Sequence, residues 1–171
     1  MIFRYNHRMN YKTTAWISAV ILALVSFSFA NPALAAEKNE KSALEAATQF
    51  YAALNQMFTG DITQMKEVWS HADDVTYMGP TGGFDKGWGQ VLKSWEAQAA
   101  MKLGGKVEGV DMLVTAGGDI AVVSDYENGE NTNAKGEVQK VSIRATNIFR
   151  KEGGKWKMIG HHTDLLPYLA K

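Results

Sequence analysis

The spacing of the apolar residues changes once along this chain, near Gly104 and Gly105, and this change limits the possible folds more than any other feature. Upstream of it, apolar residues recur at steps of three and four, which is the spacing of amphipathic helices. Downstream, apolar and polar residues alternate, which is typical of half-buried strands. Because helices and strands are segregated along the chain, the pattern predicts an α+β fold with three N-terminal helices covering one face of an antiparallel sheet.

The first two helices have recognisable start and stop signals. Ser42 and Glu45 form a capping-box pattern that begins the first helix, and Gly60 ends it. Asp61 and Gln64 repeat the same pattern at the start of the second helix. The predicted buried stripe of the first helix consists of Ala43, Ala47, Phe50, Leu54 and Met57.

A short strand over 75–78 and a glycine-rich turn over 79–83 lead into a third helix over about 87–102. The glycine-rich turn lacks the GxxxxGK[ST] spacing of a phosphate-binding loop, so it is interpreted as a flexible lip of a cavity. The links between the later strands are short, which joins them as antiparallel neighbours in a meander. The four predicted strands of the meander are 107–115, 119–127, 137–151 and 155–163.

Residues 1–36 have the pattern of a secretory signal peptide. Three basic residues and no acidic one precede an apolar run over 15–30, and Ala33-Leu34-Ala35-Ala36 offers the small residues that a signal peptidase accepts. The apolar run has 16 residues, short of the roughly 20 that span a bilayer, so an uncleaved anchor is the less favoured alternative. We therefore expect one mature domain, 37–171, in the periplasm or secreted, with membrane contact only through the leader before cleavage.

Composition excludes several classes of protein. The chain has no Cys, which rules out a disulfide scaffold, a thiolate metal site and a cysteine nucleophile. Its 18 basic residues balance 18 acidic ones, and loss of the leader leaves 15 against 18. A mildly acidic domain of this kind is not expected to bind nucleic acid.

Four segments of the sequence, in this order, resemble one known superfamily. They are Phe50-Tyr-Ala-Ala-Leu-Asn55 with Gly60-Asp61, His71-Ala-Asp-Asp-Val-Thr-Tyr77, 144–156, and 159–163. Together with the order of the predicted elements they resemble, over about residues 42–165, the cone-shaped domain of nuclear transport factor 2 (NTF2) and the SnoaL-like proteins. The resemblance implies an NTF2-like cone in which a curved sheet wraps the helices around a cavity. Isomerases, cyclases, dehydratases and non-catalytic association domains share this fold, so the fold alone does not define the chemistry.

Two families of this superfamily bear on the site. Ketosteroid isomerases need a carboxylate base after the first strand, together with a Tyr and a protonated acid. Here Gly79 and Thr146 occupy the matching positions of the base and the acid, and only Tyr51 matches, as a hydrogen-bond donor. The calcium/calmodulin-dependent kinase association domain carries pocket arginines where this chain has Asn147 and Thr163. The resemblance also implies a homodimer formed through the outer face of the sheet.

The adjacent His161 and His162 are the candidates for proton transfer. Neighbours on a strand point to opposite faces, and His162 shares its face with Asp164. One histidine is interpreted as a pocket acid or base oriented by Asp164, and the alternative is a structural, hydrogen-bonded histidine. His71 is the only other histidine after the leader and no His-x-x-x-His spacing occurs, so neither a metal nor a cofactor is predicted.

A further set of residues is predicted to contact a ligand. Arg144 and Asn147 lie on opposite faces of one predicted strand, and the sequence does not decide which of them enters the cavity. Five aromatic residues are candidates either for the core or for the cavity wall, where they would suit a flat, hydrophobic or ring-containing ligand. These are Trp69, Tyr77, Trp88, Trp95 and Tyr126.

Two functions therefore remain open from the sequence. In the first, an exported domain binds a small, partly apolar molecule in its cone and acts on it by acid/base chemistry of the isomerase, cyclase or dehydratase type. In the second, the domain is a non-catalytic association module that pairs two copies. A cavity into which a histidine and another titratable group converge would favour the first.

Overall fold

The computed structural model describes residues 32–80, 82–133 and 135–164, and its first helix begins earlier than the sequence pattern indicates. Helix α1 covers Pro32–Met57. Ser42 lies inside this helix, where its hydroxyl donates to the carbonyl oxygen of Asn39 at 3.0 Å, so the prediction that Ser42 caps the helix is wrong. The segment upstream of Ser42 is rich in Ala, Glu and Lys, which favour helix, and proline is well tolerated at a first helical position.

The predicted leader lies largely outside the described residues. Its last residues, 32–36, form the exposed start of α1. Asn39 attaches this part of the helix to the sheet, because its Nδ2 donates to the carbonyl oxygen of Gly117 at 2.7 Å and its Oδ1 accepts from Lys151. Among the helices of the described ranges, none combines the length and the hydropathy of a membrane span.

Three helices supply the apolar layer that covers the sheet. Helix α2, Thr63–Val68, has Ile62 at its N-cap without a side-chain cap, so the predicted capping box of Asp61 and Gln64 is wrong. Asp61 lies just before the helix and accepts from the backbone N–H of Thr63 at 2.9 Å. Helix α3 covers Trp88–Met101. The predicted stripe of α1 is confirmed as buried core. The buried residues of α3 are Val91, Trp95 and Ala99.

Six strands form one sheet. They are β1 Thr76–Met78, β2 Asp85–Lys86, β3 Lys106–Ala116, β4 Ile120–Thr132, β5 Val138–Glu152 and β6 Lys155–Asp164. Their spatial order is β2-β1-β6-β5-β4-β3. Strands β3 to β6 are antiparallel neighbours, which confirms the predicted meander and the α+β class.

The sheet departs from the predicted antiparallel arrangement at one pair of strands. Strand β1 pairs parallel with β6, with Tyr77 opposite His161. A parallel pair needs a long crossover, and the chain between these strands runs through α3 and most of the meander. Strand β2 is an addition that the sequence does not predict, and it pairs antiparallel with β1. The parallel pair places Tyr77 beside His161.

Each long strand has an inner face against the helices and an outer face. On β4, Ala121 and Val123 are fully buried, whereas Ile120 and Tyr126 are about half exposed. Alternation of this kind is the mark of a sheet covered on one side. The inner face therefore forms the core together with the three helices, and the outer face is left uncovered among the described residues.

One irregularity in the meander decides which histidine faces inward. The register between β5 and β6 shifts at Phe149, so that Ile148 lies opposite Gly160 whereas Phe149 lies opposite Met158. A β-bulge of this kind inserts one extra residue and changes the face on which later side chains lie. As a result Met158 and His161 are both buried on the inner face although they are three residues apart.

Candidate functional site

A cavity of about 490 Å³ lies between α3, the inner face of the sheet and the glycine-rich segment after β1, and is named the inner cavity. Its volume falls within the roughly 300–1,000 Å³ typical of small-molecule sites. Gly79, Gly82 and Gly83 contribute to its wall, in line with the lip interpretation of that segment. The larger polar and aromatic residues that line it are Phe58, Tyr77, Asp85, Trp95, Gln98, Glu127 and His161.

Aromatic rings surround His161 at the inner end of this cavity. The ring centroids of Phe50, Tyr77 and Trp95 lie 4.7, 5.8 and 5.9 Å from the imidazole, and the Tyr77 ring is nearly parallel to it. Only 3% of His161 is exposed. Because a protonated imidazole would lose its hydration among these rings, burial lowers the pKa of His161 to about 3. His161 is therefore a neutral imidazole near neutral pH.

Helix α1 meets strand β4 at a buried contact between a hydroxyl and two carboxyl groups. Tyr51 Oη lies 3.0 Å from both carboxylate oxygens of Asp125 and 3.3 Å from Glu127 Oε1. Gly109 on β3 permits this approach, because a Cβ atom there would collide with the Tyr51 ring. Burial and the two nearby carboxylates raise the pKa of Tyr51 far above its ordinary value of 10.0. Tyr51 is therefore a permanent hydrogen-bond donor to this pair.

Asn147 connects Asp125 to His161 and fixes the position of the imidazole proton. Its Nδ2 donates to Asp125 Oδ2 at 3.3 Å, which turns its Oδ1 toward His161 Nδ1 at 2.6 Å. An amide oxygen can only accept a hydrogen bond, so Nδ1 carries the proton of the neutral imidazole. Nε2 is then left as an acceptor. Tyr51, Asp125, Glu127, Asn147 and His161 together are named the buried cluster.

The free imidazole nitrogen faces a carboxyl group whose proton affinity is raised. His161 Nε2 lies 3.4 Å from Glu127 Oε1. Burial, and next the charge of Asp125, raise the pKa of Glu127 to about 7. Burial also raises the pKa of Asp125 to about 6, although hydrogen bonds from Tyr51 and Asn147 act in the opposite direction. A protonated Glu127 can donate to Nε2, whereas an ionised one leaves two acceptors beside the cavity. The pair can therefore take up or release one proton near neutral pH, as general acid/base catalysis requires.

The sheet separates the residues that the sequence singles out. Tyr51, Asn147 and His161 come together in the buried cluster, and Tyr77 and Trp95 line the inner cavity. Asn147, rather than Asp164, is the group that orients the inward-facing histidine. Asn147 lies on the inner face of the sheet, but neither it nor Arg144 is among the described residues that line the inner cavity.

Four other candidates lie on the opposite face of the sheet. His162, Asp164, Arg144 and Tyr126 line a shallower space of about 340 Å³, named the outer hollow. His162 Nε2 lies 2.9 Å from the hydroxyl oxygen of Thr76. Burial lowers the pKa of His162 while the charge of Asp164 opposes that shift. None of the four reaches the inner cavity among its described lining residues.

Of the predicted tryptophans, Trp69 belongs to the core and Trp88 is partly buried against it. Trp69 is 1% exposed, and its ring lies 6.1 Å from that of Trp95 and 6.4 Å from that of Trp88. The Trp88 ring stacks on His71 at 4.4 Å. Neither Trp69 nor Trp88 is among the described residues that line the inner cavity. Trp69 packs against the cavity residue Trp95, and Trp88 packs against Trp69.

The sequence interpretation missed the two carboxyl groups of the buried cluster. Asp125 and Glu127 are 6% and 5% exposed and continue the inward-facing row of Ala121 and Val123 on β4. Two acids at alternate positions that continue an apolar row were the available signal, because charged residues are almost never buried without a role or a partner. The predicted strand 119–127 ends at Glu127, whereas β4 continues to Thr132, so both acids lie inside the sheet.

The ring nitrogens of His161 are both occupied by protein partners. Within the described ranges, no group of three or more His, Cys, Asp or Glu side chains is arranged to hold a metal ion. His161 already has a protein partner at each ring nitrogen, Asn147 at Nδ1 and Glu127 at Nε2. The arrangement is instead suited to moving a proton between these side chains and a molecule in the cavity.

Comparison with known proteins gives a family and several structural neighbours. The family model described as SnoaL-like domain matches residues 44–166. None of the curated proteins compared matches the chain. These findings, with the solved structures below, confirm the resemblance to the NTF2-like superfamily.

Three similar solved structures come from bacteria. A proposed dehydratase of the NTF2-like family from Streptomyces avermitilis is 24% identical, with a TM-score of 0.67 over 76% of this chain and 98% of that one. A proposed calcium/calmodulin-dependent protein kinase type II association domain from Thiobacillus denitrificans is 25% identical, with a TM-score of 0.56 over 71% and 92%. An NTF2-like superfamily protein from Salmonella enterica is 14% identical, with a TM-score of 0.66 over 74% and 90%. At these identities the neighbours establish the fold.

Proposed function

The chain belongs to the SnoaL-like domain family, and from this premise we propose that it binds a small, partly apolar molecule in the inner cavity and transfers a proton on it. Glu127 and His161 are the proposed acid/base pair. One observation carries the proposal: the two side chains face each other at 3.4 Å beside the cavity, and the pKa of Glu127 is raised to about 7. An acid or base is most effective when its pKa lies near the working pH.

The proposed chemistry needs only one proton and the residues already described. An ionised Glu127 takes a proton from a carbon of the bound molecule, and His161 Nε2 accepts a hydrogen bond from the carboxylic acid that results. Glu127 then returns the proton either to another carbon, which is an isomerisation, or to a leaving hydroxyl group, which is a dehydration. The proposed dehydratase among the structural neighbours fits the second outcome.

Tyr77 is the proposed donor to an oxygen of the bound molecule. Its hydroxyl accepts a hydrogen bond from Gln98 Nε2 at 2.9 Å, and no residue of the described ranges accepts the proton of that hydroxyl. Burial raises the pKa of Tyr77 to about 12, so the proton stays on the oxygen. A fixed donor of this kind stabilises negative charge that develops on a carbonyl oxygen during proton abstraction.

The test is exchange of carbon-bound protons with solvent. A panel of small cyclic ketones is incubated with the protein in D₂O, and loss of the α-proton signal is followed by NMR. We expect Glu127→Gln to slow this exchange by about 100-fold or more, because general acid/base catalysis contributes at least that much. Glu130→Gln makes the same change at an exposed position of the same strand and is expected to leave the exchange unchanged. Equal rates in the wild type and Glu127→Gln would contradict the proposed role.

A second candidate function is pairing of two copies through the outer face. Leu113 is 69% exposed and Tyr126 is 47% exposed, and these two large side chains lie on neighbouring strands of that face. Apolar side chains exposed together often mark a protein interface. Light scattering after size-exclusion chromatography tests this: a dimer that Leu113→Glu converts to a monomer supports the pairing, and a monomeric wild type contradicts it.

We also propose that the protein is exported and that residues 1–36 are removed, with the mature domain in the periplasm or secreted. The proposal rests on the sequence pattern of the leader alone. Sequencing the N-terminus of protein recovered from the cell envelope or the medium tests it. A first residue at or near Glu37 is expected, and an N-terminus at Met1 would contradict cleavage.

A further inference from the structure

The described residues that line the inner cavity include acidic side chains but no Lys or Arg. Asp85 and Glu127 line it, and Asp125 lies directly behind Glu127. His161 adds no positive charge near neutral pH, because burial lowers its pKa. An anion that entered would lose its hydration without meeting a cationic partner, whereas a cation would meet carboxylates.

Asp85 is placed to meet a ligand at the open end of the cavity. It lies on β2 opposite Tyr77 of β1, and the residues just before it, Gly82 to Phe84, are exposed. The hydroxyl of Ser94 on α3 donates to Asp85 Oδ2 at 2.5 Å and holds the carboxylate in place. Among the described residues, none donates a hydrogen bond to the other carboxylate oxygen. One oxygen of Asp85 is therefore available to a ligand.

The wall next to Asp85 is aromatic. The Tyr77 and Trp95 rings, with centroids 4.6 Å apart, both line the cavity. A cation close to the face of such a ring is attracted by its quadrupole, and the attraction is greater where water is excluded. A carboxylate beside aromatic faces is a combination that recognises an organic cation.

From this arrangement we propose that the ligand is an organic ammonium ion, a protonated amine attached to an apolar, ring-containing body. The amine lies at Asp85, and the body lies along Tyr77 and Trp95 toward Glu127 and His161. Asp85 is then a specificity residue, and the acid/base pair at the inner end remains free for chemistry. This inference rests on the proposed function only in requiring that the inner cavity binds a small molecule.

The first experiment compares three compounds with one ring system and different charges. These are 2-naphthylmethylamine, which is protonated at pH 7.5, the neutral 2-naphthylmethanol, and the anion 2-naphthoate. Isothermal titration calorimetry with the full-length protein is expected to show the amine binding at least tenfold more tightly than the alcohol, and the naphthoate at least tenfold more weakly. Naphthoate binding as tightly as the amine would overturn the proposal, as would equal affinity for amine and alcohol.

The second experiment assigns the preference to Asp85. In Asp85→Asn the ratio of amine to alcohol affinity is expected to fall close to one, while the alcohol affinity stays as in the wild type. Asp119→Asn, at an exposed position in the link between β3 and β4, is the matched control and is expected to keep the full ratio. A ratio that survives in Asp85→Asn, in a variant that melts at the wild-type temperature, would overturn the assignment.

The same variants separate failure of this inference from failure of the proposed function. Glu127→Gln is expected to lose proton exchange and to keep most of the preference for the amine, because Asp85 is the carboxylate that contacts the amine. Asp85→Asn is expected to lose the preference, and Asp119→Asn is expected to keep both the exchange and the preference. Exchange that depends on Glu127 with no preference for the amine would overturn only the ligand class. A preference for the amine without any exchange would overturn only the chemistry and would support the ligand class.

Discussion

Two clusters in this protein each contain an Asp and a Glu, and the pKa values of these carboxyl groups are shifted in opposite directions in the two clusters. In the first, named the surface clamp, Arg150 binds both carboxylate oxygens of Asp74 at 2.6 and 3.1 Å and also binds Glu152, which accepts from Ser70. The pKa of Asp74 is lowered, chiefly by its hydrogen bonds with Arg150, and the pKa of Glu152 is lowered by Ser70 and Arg150. In the buried cluster the pKa values of Asp125 and Glu127 are raised.

The pKa shifts differ in direction because the two clusters differ in their exposure to water and in the presence of a nearby cation. The clamp is partly exposed and contains a guanidinium group, so its carboxylates are stabilised in the ionised form. The buried cluster contains two carboxyl groups and a neutral imidazole with little solvent, so ionisation there is unfavourable. The clamp ties the end of β5 to the loop before β1, whereas the buried cluster lowers stability near neutral pH and keeps a proton available. Charged residues thus stabilise the fold in one place, and in the other they form the acid/base pair that we propose.

The largest effect is expected in the pH dependence of stability, when the wild type is compared with Glu127→Gln. The pKa of Glu127 is about 7 in the folded protein and about 4.5 in the unfolded one, so the folded state holds its proton more strongly. Its contribution to stability is therefore complete below pH 4.5 and is lost as pH rises through 7. We expect the free energy of unfolding of the wild type to fall between pH 4.5 and 8, relative to Glu127→Gln, by on the order of 3 kcal/mol. Urea unfolding at both pH values measures this.

His161 changes the stability with pH in the opposite direction to Glu127. Comparing the wild type with Glu127→Gln removes this contribution, because both proteins contain His161. Its pKa is about 3 when folded and 6.5 when unfolded, so its contribution to stability rises with pH between those values. That contribution is present in both proteins and cancels in the difference between them. Parallel stability curves for the wild type and Glu127→Gln would show that burial does not raise the pKa of Glu127.

A smaller effect is expected from Gly109→Ala, which disturbs the buried cluster without changing a charge. The added methyl group meets the Tyr51 ring, and overpacking of a core costs about 1–3 kcal/mol. Gly89→Ala is the matched control, because a Cβ atom there meets nothing within 4 Å and alanine favours helix α3. Denaturant unfolding is expected to show a loss of stability for the first variant only. Equal stability of the two variants would mean that Tyr51 can move without cost.

The smallest effect is expected at the surface clamp. Asp74→Asn removes half of an exposed ion pair, and such pairs contribute up to about 1 kcal/mol. Because the pKa of Asp74 is lowered on folding, its contribution is present above pH 3.8 and is lost as pH falls through the folded value, opposite in sign to Glu127. Thermal melts at low and high salt are expected to show a loss of a few degrees that salt reduces. A loss as large as that of Gly109→Ala would contradict the distinction between the clusters.

Most of the fold follows from local pattern. The inward stripe of α1 and the four antiparallel strands of the meander were predictable, because each depends on periodicity and on short links. The parallel pairing of β1 with β6 was not predictable in this way. It depends on contacts between distant parts of the chain, and a three-residue strand carries little pattern of its own.

The site was predictable only in part, for two physical reasons. His161 and His162 are equivalent in sequence, and only the register shift at Phe149 decides that His161 faces inward. Glu127 lies near the end of the expected strand, but the actual strand β4 continues to Thr132, so its acids lie within the strand and on its inner face. The sequence allows Tyr51 and Asn147 to be proposed individually as site residues. Their hydrogen bonds to Asp125 form only when the sheet is assembled and α1 packs on it, so the sequence does not predict them.

The parallel pairing of β1 with β6 also sets the order in which the inner cavity can be completed during synthesis. Tyr77 emerges from the ribosome early, but its neighbour His161 belongs to the last of the described strands. Closing so long a stretch of chain is slow compared with forming helices or hairpins. A nascent chain can therefore hold its helices and most of its sheet while it still lacks the imidazole that faces Glu127.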